Sequence, residues 1–199
     1  AVRMRLIRKA VWKAAGACKD ITAAHLQAVA DLLEKQTGRY VKLPYGLTAT
    51  RVYNVIEIMG KRKETEKICL PIDTDRLPEN LLAGEWKFSF KKFLYDGNTD
   101  KIPQKMYTKW FDYDKIKDSL AIRNRRKGDY FVLDAAGHHK KLEDYFVNEK
   151  IPASHRDEQL LLAGEDEIFW IVGGRMAYGT GISDATRWVL EITASNSSH

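Results

Sequence analysis

The stretch SLAIRNRRKGDYFVL, residues 119–133, decides how the fold is interpreted, because it joins two apolar segments through a basic turn. Residues 119–124 and 130–133 have the composition of strands, and Lys127-Gly128-Asp129 has that of a tight turn, with Gly128 free to adopt a positive φ. Side chains alternate between the two faces of a strand. If Ile122 faces a core, Arg123 and Arg125 are therefore expected to project together from the opposite face.

Strand patterns recur on both sides of this stretch. Residues 40–44 and 47–59 are predicted to form two strands around a turn at Tyr45-Gly46, and residues 86–91 alternate aromatic with polar side chains. Residues 160–163, 168–172 and 188–193 complete a β-rich module. Helices are predicted for the first 14 residues, from Thr22 to Gly38, and for residues 140–149. The chain begins in helical pattern without an initiator methionine, which favours a piece of a longer protein.

The fold class expected from these patterns is α+β, with a short helical N-terminal segment followed by a β-rich module. The turn-rich residues 96–100, followed by Pro103, mark the best internal boundary. We therefore expect one region at 1–104, with helices, a β hairpin and a strand, and a C-terminal domain at 105–199. Residues 195–199 are expected to be a frayed tail.

The positive charge is unevenly distributed. The formal net charge is +6 and the isoelectric point is near 9.2. Residues 1–63 have 13 Lys and Arg against 4 Asp and Glu, and residues 120–141 have 6 against 2, whereas residues 142–199 have 4 against 10. Two basic blocks suit an anionic partner touched at two places, although surplus surface lysine explains the same numbers.

Composition limits the class of protein and its compartment. A hydrophobic content of 44% is typical of a soluble globular protein, and no apolar run is long enough to span a membrane. Only two cysteines, Cys18 and Cys69, are present, without the spacing of a zinc site. A cytoplasmic location is therefore expected, although two cysteines leave one disulfide open.

Patterns typical of catalytic and metal sites are weak. The sequence contains no phosphate-binding loop, nucleophile elbow or zinc-protease motif. Glycines at 173–174 and 179–181 are interpreted as turns. The adjacent His138 and His139 are expected to point apart, and Cys18 is interpreted as a small helix residue. We predict no catalytic residue and no metal site.

The basic residues around the turn are the stronger candidates for binding. Arginine forks match phosphate oxygens, and clustered cations release counterions when they bind RNA. Asp129 is expected to accept amide hydrogens of the turn or to pair with an arginine. The alternative is a charged hairpin paired internally with Glu143, Asp144, Asp157 or Glu158. A second basic set lies on the first helix, where a solvated helix face is an equal alternative; it comprises Arg3, Arg5, Arg8, Lys9 and Lys13.

Four segments together resemble one family, the tRNA(Ile)-lysidine synthetases. Residues 122–129 resemble the family's R-x-R-x-P-G-D-R segment, with Lys127 in place of proline, and Tyr130 stands where the family has arginine. Residues 140–146 are similar to its K-K-L-K-D-x-F helix. Residues 150–156 are similar to its K-I-P-x-x-x-R segment, and residues 168–176 to its I-x-W-V-x-G-x-R-I strand and turn.

The resemblance implies a function for the whole protein. Members of the family use ATP, with Mg²⁺, to adenylate the wobble cytidine of isoleucine tRNA with a CAU anticodon, and lysine then displaces the adenylate. That chemistry belongs to an N-terminal domain with an S-G-G-x-D-S motif, which this sequence lacks, so the chain is expected to be non-catalytic. The resemblance also implies mixed sheets in three layers, as in a domain of the phenylalanyl-tRNA synthetase β subunit.

The chain is accordingly expected to hold the body and acceptor stem of the tRNA. The residues expected to contact tRNA phosphates and sugars are Arg123, Arg125, Arg126, Lys127, Lys140, Lys141, Arg156 and Arg175. One alternative is a dimerisation or interaction module of the same enzyme, which leaves a homodimer open. Another is a stand-alone enzyme with an unrecognised active site.

Overall fold

The computed structural model describes residues 2–17, 19–60 and 67–196, apart from the side chain of Ser154. Cys18, interpreted above as a helix residue, lies outside the described residues. The chain divides into two compact units, residues 1–65 and residues 66–199.

The first unit combines two helices with a small sheet. Helix α1 spans Val2–Ala15 and α2 spans Ala23–Asp31, while β1 (Tyr40–Lys42), β2 (Thr48–Val52) and β3 (Val55–Met59) form an antiparallel sheet in that order. Their apolar faces meet in one core, which includes Val11, Leu26, Val29, Leu32, Leu43, Leu47 and Ala49.

Local signals in the first unit are partly confirmed. Thr22 caps α2: its side chain accepts a hydrogen bond from the His25 amide, and the His25 ring accepts one from the Thr22 amide. Helix α2 ends at Asp31 and passes into a 3-10 turn at Leu32–Glu34, so Gly38 does not end it. Residues 47–59 contain two strands, β2 and β3, where a single strand was expected.

The second unit contains two four-stranded sheets. The outer sheet has the order β5 (Asn80–Ala83), β6 (Trp86–Leu94), β13 (Trp188–Asn196), β7 (Thr108–Asp112). The middle sheet has the order β12 (Ile168–Ile171), β11 (Leu161–Ala163), β8 (Ala121–Arg123), β4 (Cys69–Pro71).

A third layer is built from a β ribbon and a helix. Strands β9 (Tyr130–Val132) and β10 (His139–Lys141) pair with each other, and α4 (Leu142–Asn148) follows β10 directly. Two short helices, α3 (Tyr113–Ile116) and α5 (Ala153–Arg156), connect the layers.

Two cores show how these layers stack. One core joins the outer and middle sheets through Phe88, Phe111, Ile122, Leu162, Trp170 and Leu190. The other joins the middle sheet to the ribbon and α4 through Phe131, Leu142, Phe146, Leu161, Ile168 and Ile171. The middle sheet is therefore covered on both faces, and this determines the environment of β8.

The fold class is confirmed as α+β, with three corrections. The expected boundary at 104/105 falls inside the second unit, because β6 pairs with β13 along nine residues; the units divide near residue 65. Lys140 and Lys141 belong to β10, so the helix expected from residue 140 begins at Leu142. Ser195 and Asn196 extend β13 and are not frayed, while the rest of the expected tail, residues 197–199, lies outside the described residues.

Strand pairing is simpler than the mixed sheets that the resemblance implied. Every pair of named strands is antiparallel, and one isolated parallel bridge joins Tyr130 to Glu167. Over the described residues, no helix combines the length and apolar character needed to cross a bilayer.

Candidate nucleic-acid interface

Arg123 lies inside the second unit. Its side chain is 1% exposed and that of Asp129 is 0% exposed, and two hydrogen bonds of 2.9 and 2.8 Å join the guanidinium to the two carboxylate oxygens. The same guanidinium donates to the carbonyls of Asn124 and Glu165, at 3.1 and 3.0 Å. Removing one partner of a buried pair leaves an uncompensated charge, which costs about 3–5 kcal/mol.

Arg123 does project from the face opposite Ile122, but that face is buried, so the expectation that Arg123 contacts tRNA is wrong. That expectation assumed a strand with one solvated face, but β8 belongs to the middle sheet, where both faces are covered. Ile122 enters one core, and Arg123 lies on the opposite side, next to Leu161 of β11.

The residues that follow β8 form a loop with a defined shape, residues 124–128, which we call the basic loop. Asp129 closes it, because its Oδ2 also accepts a hydrogen bond of 2.7 Å from the Arg126 amide. Both roles expected for Asp129 are thus present. Gly128 has a φ of +99°, as its position in the turn requires. At the other end, the Asn124 side chain accepts from the Ile68 amide at 2.7 Å.

The basic loop carries three cations near its surface. Arg125 is 36% exposed and forms an ion pair with Asp157 at 2.7 Å. Asp157 is one of the four acids named above as possible internal partners of the hairpin, so that alternative is correct for this contact. Arg126 is exposed, and its Nη2 donates to the sulfur of the exposed, free Cys69 at 3.0 Å. Lys127 is exposed at the tip.

Two of the other candidates lie around Phe131 of the ribbon. Lys140 is the partner of Phe131 across the β9–β10 pair, and the Arg175 guanidinium lies 5.5 Å from the Phe131 ring centre. Tyr145 packs edge-on against the same ring. Burial raises the pKa of Tyr145, and the positive charge of Arg175 partly opposes this shift.

Lys141 and Arg156 lie closer to the basic loop. Lys141 pairs with Tyr130, which directly follows Asp129, and it alternates with Lys140, so its side chain is on the opposite face of the ribbon. Arg156 ends α5, and the next residue is Asp157, the partner of Arg125. The Arg156 Nε donates to the Ile151 carbonyl at 2.8 Å.

The structure thus divides the eight candidates into three sets. Arg125, Arg126 and Lys127 are on the basic loop, with Lys141 and Arg156 on elements that adjoin it. Lys140 and Arg175 flank Phe131. Arg123 is buried beneath the loop.

Residues with weaker sequence signals have local roles. His138 contacts the Asp134 carboxylate at 2.9 Å, which holds the pKa of Asp134 below its usual value. The His139 ring packs against that of Tyr130 at a tilt of 51°, with the ring centres 5.1 Å apart. Gly173 has a φ of +76°, and a β carbon there would lie 2.6 Å from the ring of Tyr107. Its glycine is thus required by the turn and by close packing.

The N-terminal basic set lies on α1 in the first unit. Arg3 donates to the Ala30 carbonyl at 2.6 Å, and Arg8 lies over the Trp12 ring. These two side chains have contacts within their own unit.

Two structural partners were missed from the sequence. Asp157 was named only as one of four acids, and Cys69 only as a cysteine without zinc spacing. No local pattern identifies Cys69, because β4 has only three residues. The burial of Arg123 did have a signal: β11 and β12 are apolar throughout, which indicates a sheet covered on both faces.

Comparisons with known proteins agree on one family. Residues 120–192 match the family described as the TilS substrate C-terminal domain. The tRNA(Ile)-lysidine synthase of Caldanaerobacter subterraneus subsp. tengcongensis is 32% identical over 193 residues, covering 96% of this chain and 41% of that protein. The synthase of Clostridium perfringens is 29% identical over 201 residues, covering 97% and 43%.

A solved structure shows the same fold. The chain described as the crystal structure of the TILS C-terminal domain matches with a TM-score of 0.50 and 17% identity, over 66% of this chain and 98% of that one. The present chain spans about two fifths of the length of the curated relatives it matches. These matches, together with the four motifs in their expected order, show that residues 120–192 belong to the TilS C-terminal domain family and that the chain is similar, over 96% of its length, to a tRNA(Ile)-lysidine synthase.

Proposed function

We propose that this chain binds isoleucine tRNA for a lysidine-forming ligase and positions the tRNA body and acceptor stem. The observation that carries this proposal is the basic loop, which presents Arg125, Arg126 and Lys127 at the surface of the second unit. The proposal that the RNA is isoleucine tRNA rests on the names of the relatives, each of which is a tRNA(Ile)-lysidine synthase.

The chemistry of the candidate residues favours recognition of the RNA backbone. Arginine and lysine contact phosphates and sugars, and such contacts set the position of a nucleic acid without reading its sequence. Helical RNA offers mainly its shape, phosphates and 2′-hydroxyls to a protein. We therefore assign the contacts to Arg125, Arg126, Lys127, Lys140, Lys141, Arg156 and Arg175.

The ATP-dependent step is assigned to sequence outside these 199 residues. The S-G-G-x-D-S motif is absent from the sequence, and the turn at Gly173 is filled by the Tyr107 ring, which leaves no cradle for a phosphate there. No step through ATP, Mg²⁺ or lysine is assigned to this chain. A cytoplasmic location, where tRNA is available, is part of the same proposal.

The salt dependence of tRNA affinity tests the proposal. Each phosphate that the protein no longer neutralises should flatten the plot of log affinity against log salt by roughly 0.7–0.9 units. We expect the variant Arg125→Ala, Arg126→Ala, Lys127→Ala to bind an isoleucine tRNA transcript more weakly, with a slope lower by about two to three units.

A matched control separates local contacts from overall charge. Lys87, Lys91 and Lys105 are also exposed in the second unit, outside the basic loop. Their combined replacement by alanine removes the same charge and should change the slope by less than one unit. A folded loop variant with wild-type affinity and slope would contradict the proposal, as would equal losses in both variants.

A further inference from the structure

We infer that Arg123 and Asp129 are positioning residues: their buried ion pair holds the basic loop in its RNA-binding shape before any RNA arrives. This inference rests on the proposed function, because it concerns how the same site is built. It changes the role of Arg123, which resembles a phosphate contact in sequence but has no surface from which to make one.

The hydrogen bonds around the pair connect both ends of the loop. Arg123 lies immediately before the loop and Asp129 immediately after it, so their contact closes the loop at its base. Asp129 also binds the amide of Arg126, in the middle of the loop. Arg123 donates to the carbonyl of Asn124, the first loop residue.

The surroundings keep the pair in place. The Arg123 guanidinium also donates to the Glu165 carbonyl, and the Leu142 amide donates to the Asp129 carbonyl at 2.9 Å. The loop base is thereby tied to the turn after β11 and to the start of α4. Within the described residues, the Arg123 Nε has no hydrogen-bond partner, so the pair is retained although one buried donor is left unsatisfied.

An ordered loop improves binding for a physical reason. Ordering a flexible loop on binding reduces affinity. A loop that stays disordered in the complex also cannot hold its three cations against the phosphates, so counterion release falls as well. The three cations should therefore act as a unit that depends on the pair. Removal of the pair should have the same effect on tRNA binding as removal of the cations themselves.

The decisive variant replaces both partners, Arg123→Met with Asp129→Leu, in the full chain. Replacing a buried ion pair by apolar side chains is often neutral for stability, whereas removing one partner leaves a buried charge. We expect this variant to keep the near-ultraviolet circular dichroism of the wild type. Its tRNA salt slope should fall by about two to three units, as in the loop variant, and combining both sets of substitutions should lower it no further.

Three outcomes would overturn the inference. A folded double variant with the wild-type slope would mean that the loop does not need the pair. A decrease of about one unit, additive with the loop substitutions, would make Arg123 a direct contact. The third outcome needs no variant: deuterium exchange of the wild-type chain should show the Arg126 amide protected without RNA, and rapid exchange there would overturn the inference if the double variant failed to fold.

These measurements also separate the two proposals. If the wild-type chain does not bind the tRNA transcript, the proposed function fails, whatever the exchange rate of the Arg126 amide. If the wild type binds and the slope falls in the loop variant but not in the folded double variant, only the positioning role fails.

Discussion

Two arginines of the basic loop have partners within the protein, which an RNA phosphate would have to displace. Arg125 is engaged by a carboxylate, and Arg126 by a sulfur. An exposed ion pair contributes only about 0–1 kcal/mol, so a phosphate can displace Asp157 at low cost. The buried contact of Arg123 is of a different kind, because no solvent-exposed ligand reaches it.

Replacing Asp157 by asparagine should strengthen tRNA binding. The substitution frees the Arg125 guanidinium and removes a negative charge that repels phosphate, so we expect affinity to rise roughly two- to five-fold at low salt. Filter binding or fluorescence anisotropy with labelled isoleucine tRNA measures the change.

Asp184→Asn is the matched control, since Asp184 is exposed in the same unit and its substitution alters net charge equally. The gain from Asp157→Asn should also vanish when Arg125 is already alanine. Equal gains in both asparagine variants would show that only net charge matters.

Predictions that rest on a strong local pattern agree with the structure. Predictions for elements whose burial depends on neighbouring strands do not. The alternation of Trp86, Phe88 and Phe90 predicted β6, because one face of that strand enters a core and the other does not. Strand β8 gave the opposite result: its three residues carry no sign of which faces are covered, and β11 and the ribbon decide that.

The candidate site shows the same division between local and distant signals. The basic residues were predicted from their spacing, and Asp129 from its place after a glycine. Their division into exposed and buried members depends on β8 lying in the middle layer, which involves residues far apart in sequence. Lys140, where a helix was expected to begin, lies in a strand, because β10 pairs with β9.

Helix α2 offers a test of a local element. Thr22→Ala removes the side-chain acceptor of the His25 amide and should destabilise the first unit by about 1 kcal/mol. Helical ellipticity during urea unfolding measures this, because the two longest helices, α1 and α2, lie in that unit. Thr22→Ser keeps the hydroxyl and should retain most of the stability; identical midpoints for the two variants would show that the cap contributes nothing.

At the scale of the molecule, the second unit has the features of an independent domain. Both of its cores are formed by residues from 68 onward. The solved TILS C-terminal domain matches 66% of the chain, close to the share that this unit occupies. A region with its own hydrophobic core can in principle fold alone.

We expect a fragment of residues 66–199 to fold cooperatively, with the near-ultraviolet circular dichroism of packed aromatic side chains. It should also retain the part of the tRNA salt slope that depends on the basic loop. A fragment of 105–199, which lacks β6 and therefore a partner of β13, should not fold. A folded 105–199 fragment would restore the boundary that the sequence suggested.

The position of β13 has a consequence for synthesis on the ribosome. This strand lies between β6 and β7, so residues 95–187 must be synthesised before β6 can acquire its second partner, on the side away from β5. Until then one edge of β6 has no hydrogen-bonding neighbour, and sheets built from such distant segments form slowly. A nascent chain that stalls before Trp188 would thus emerge with the outer sheet open, as a substrate for chaperones and proteases. The cell would remove such products on account of their unpaired strands.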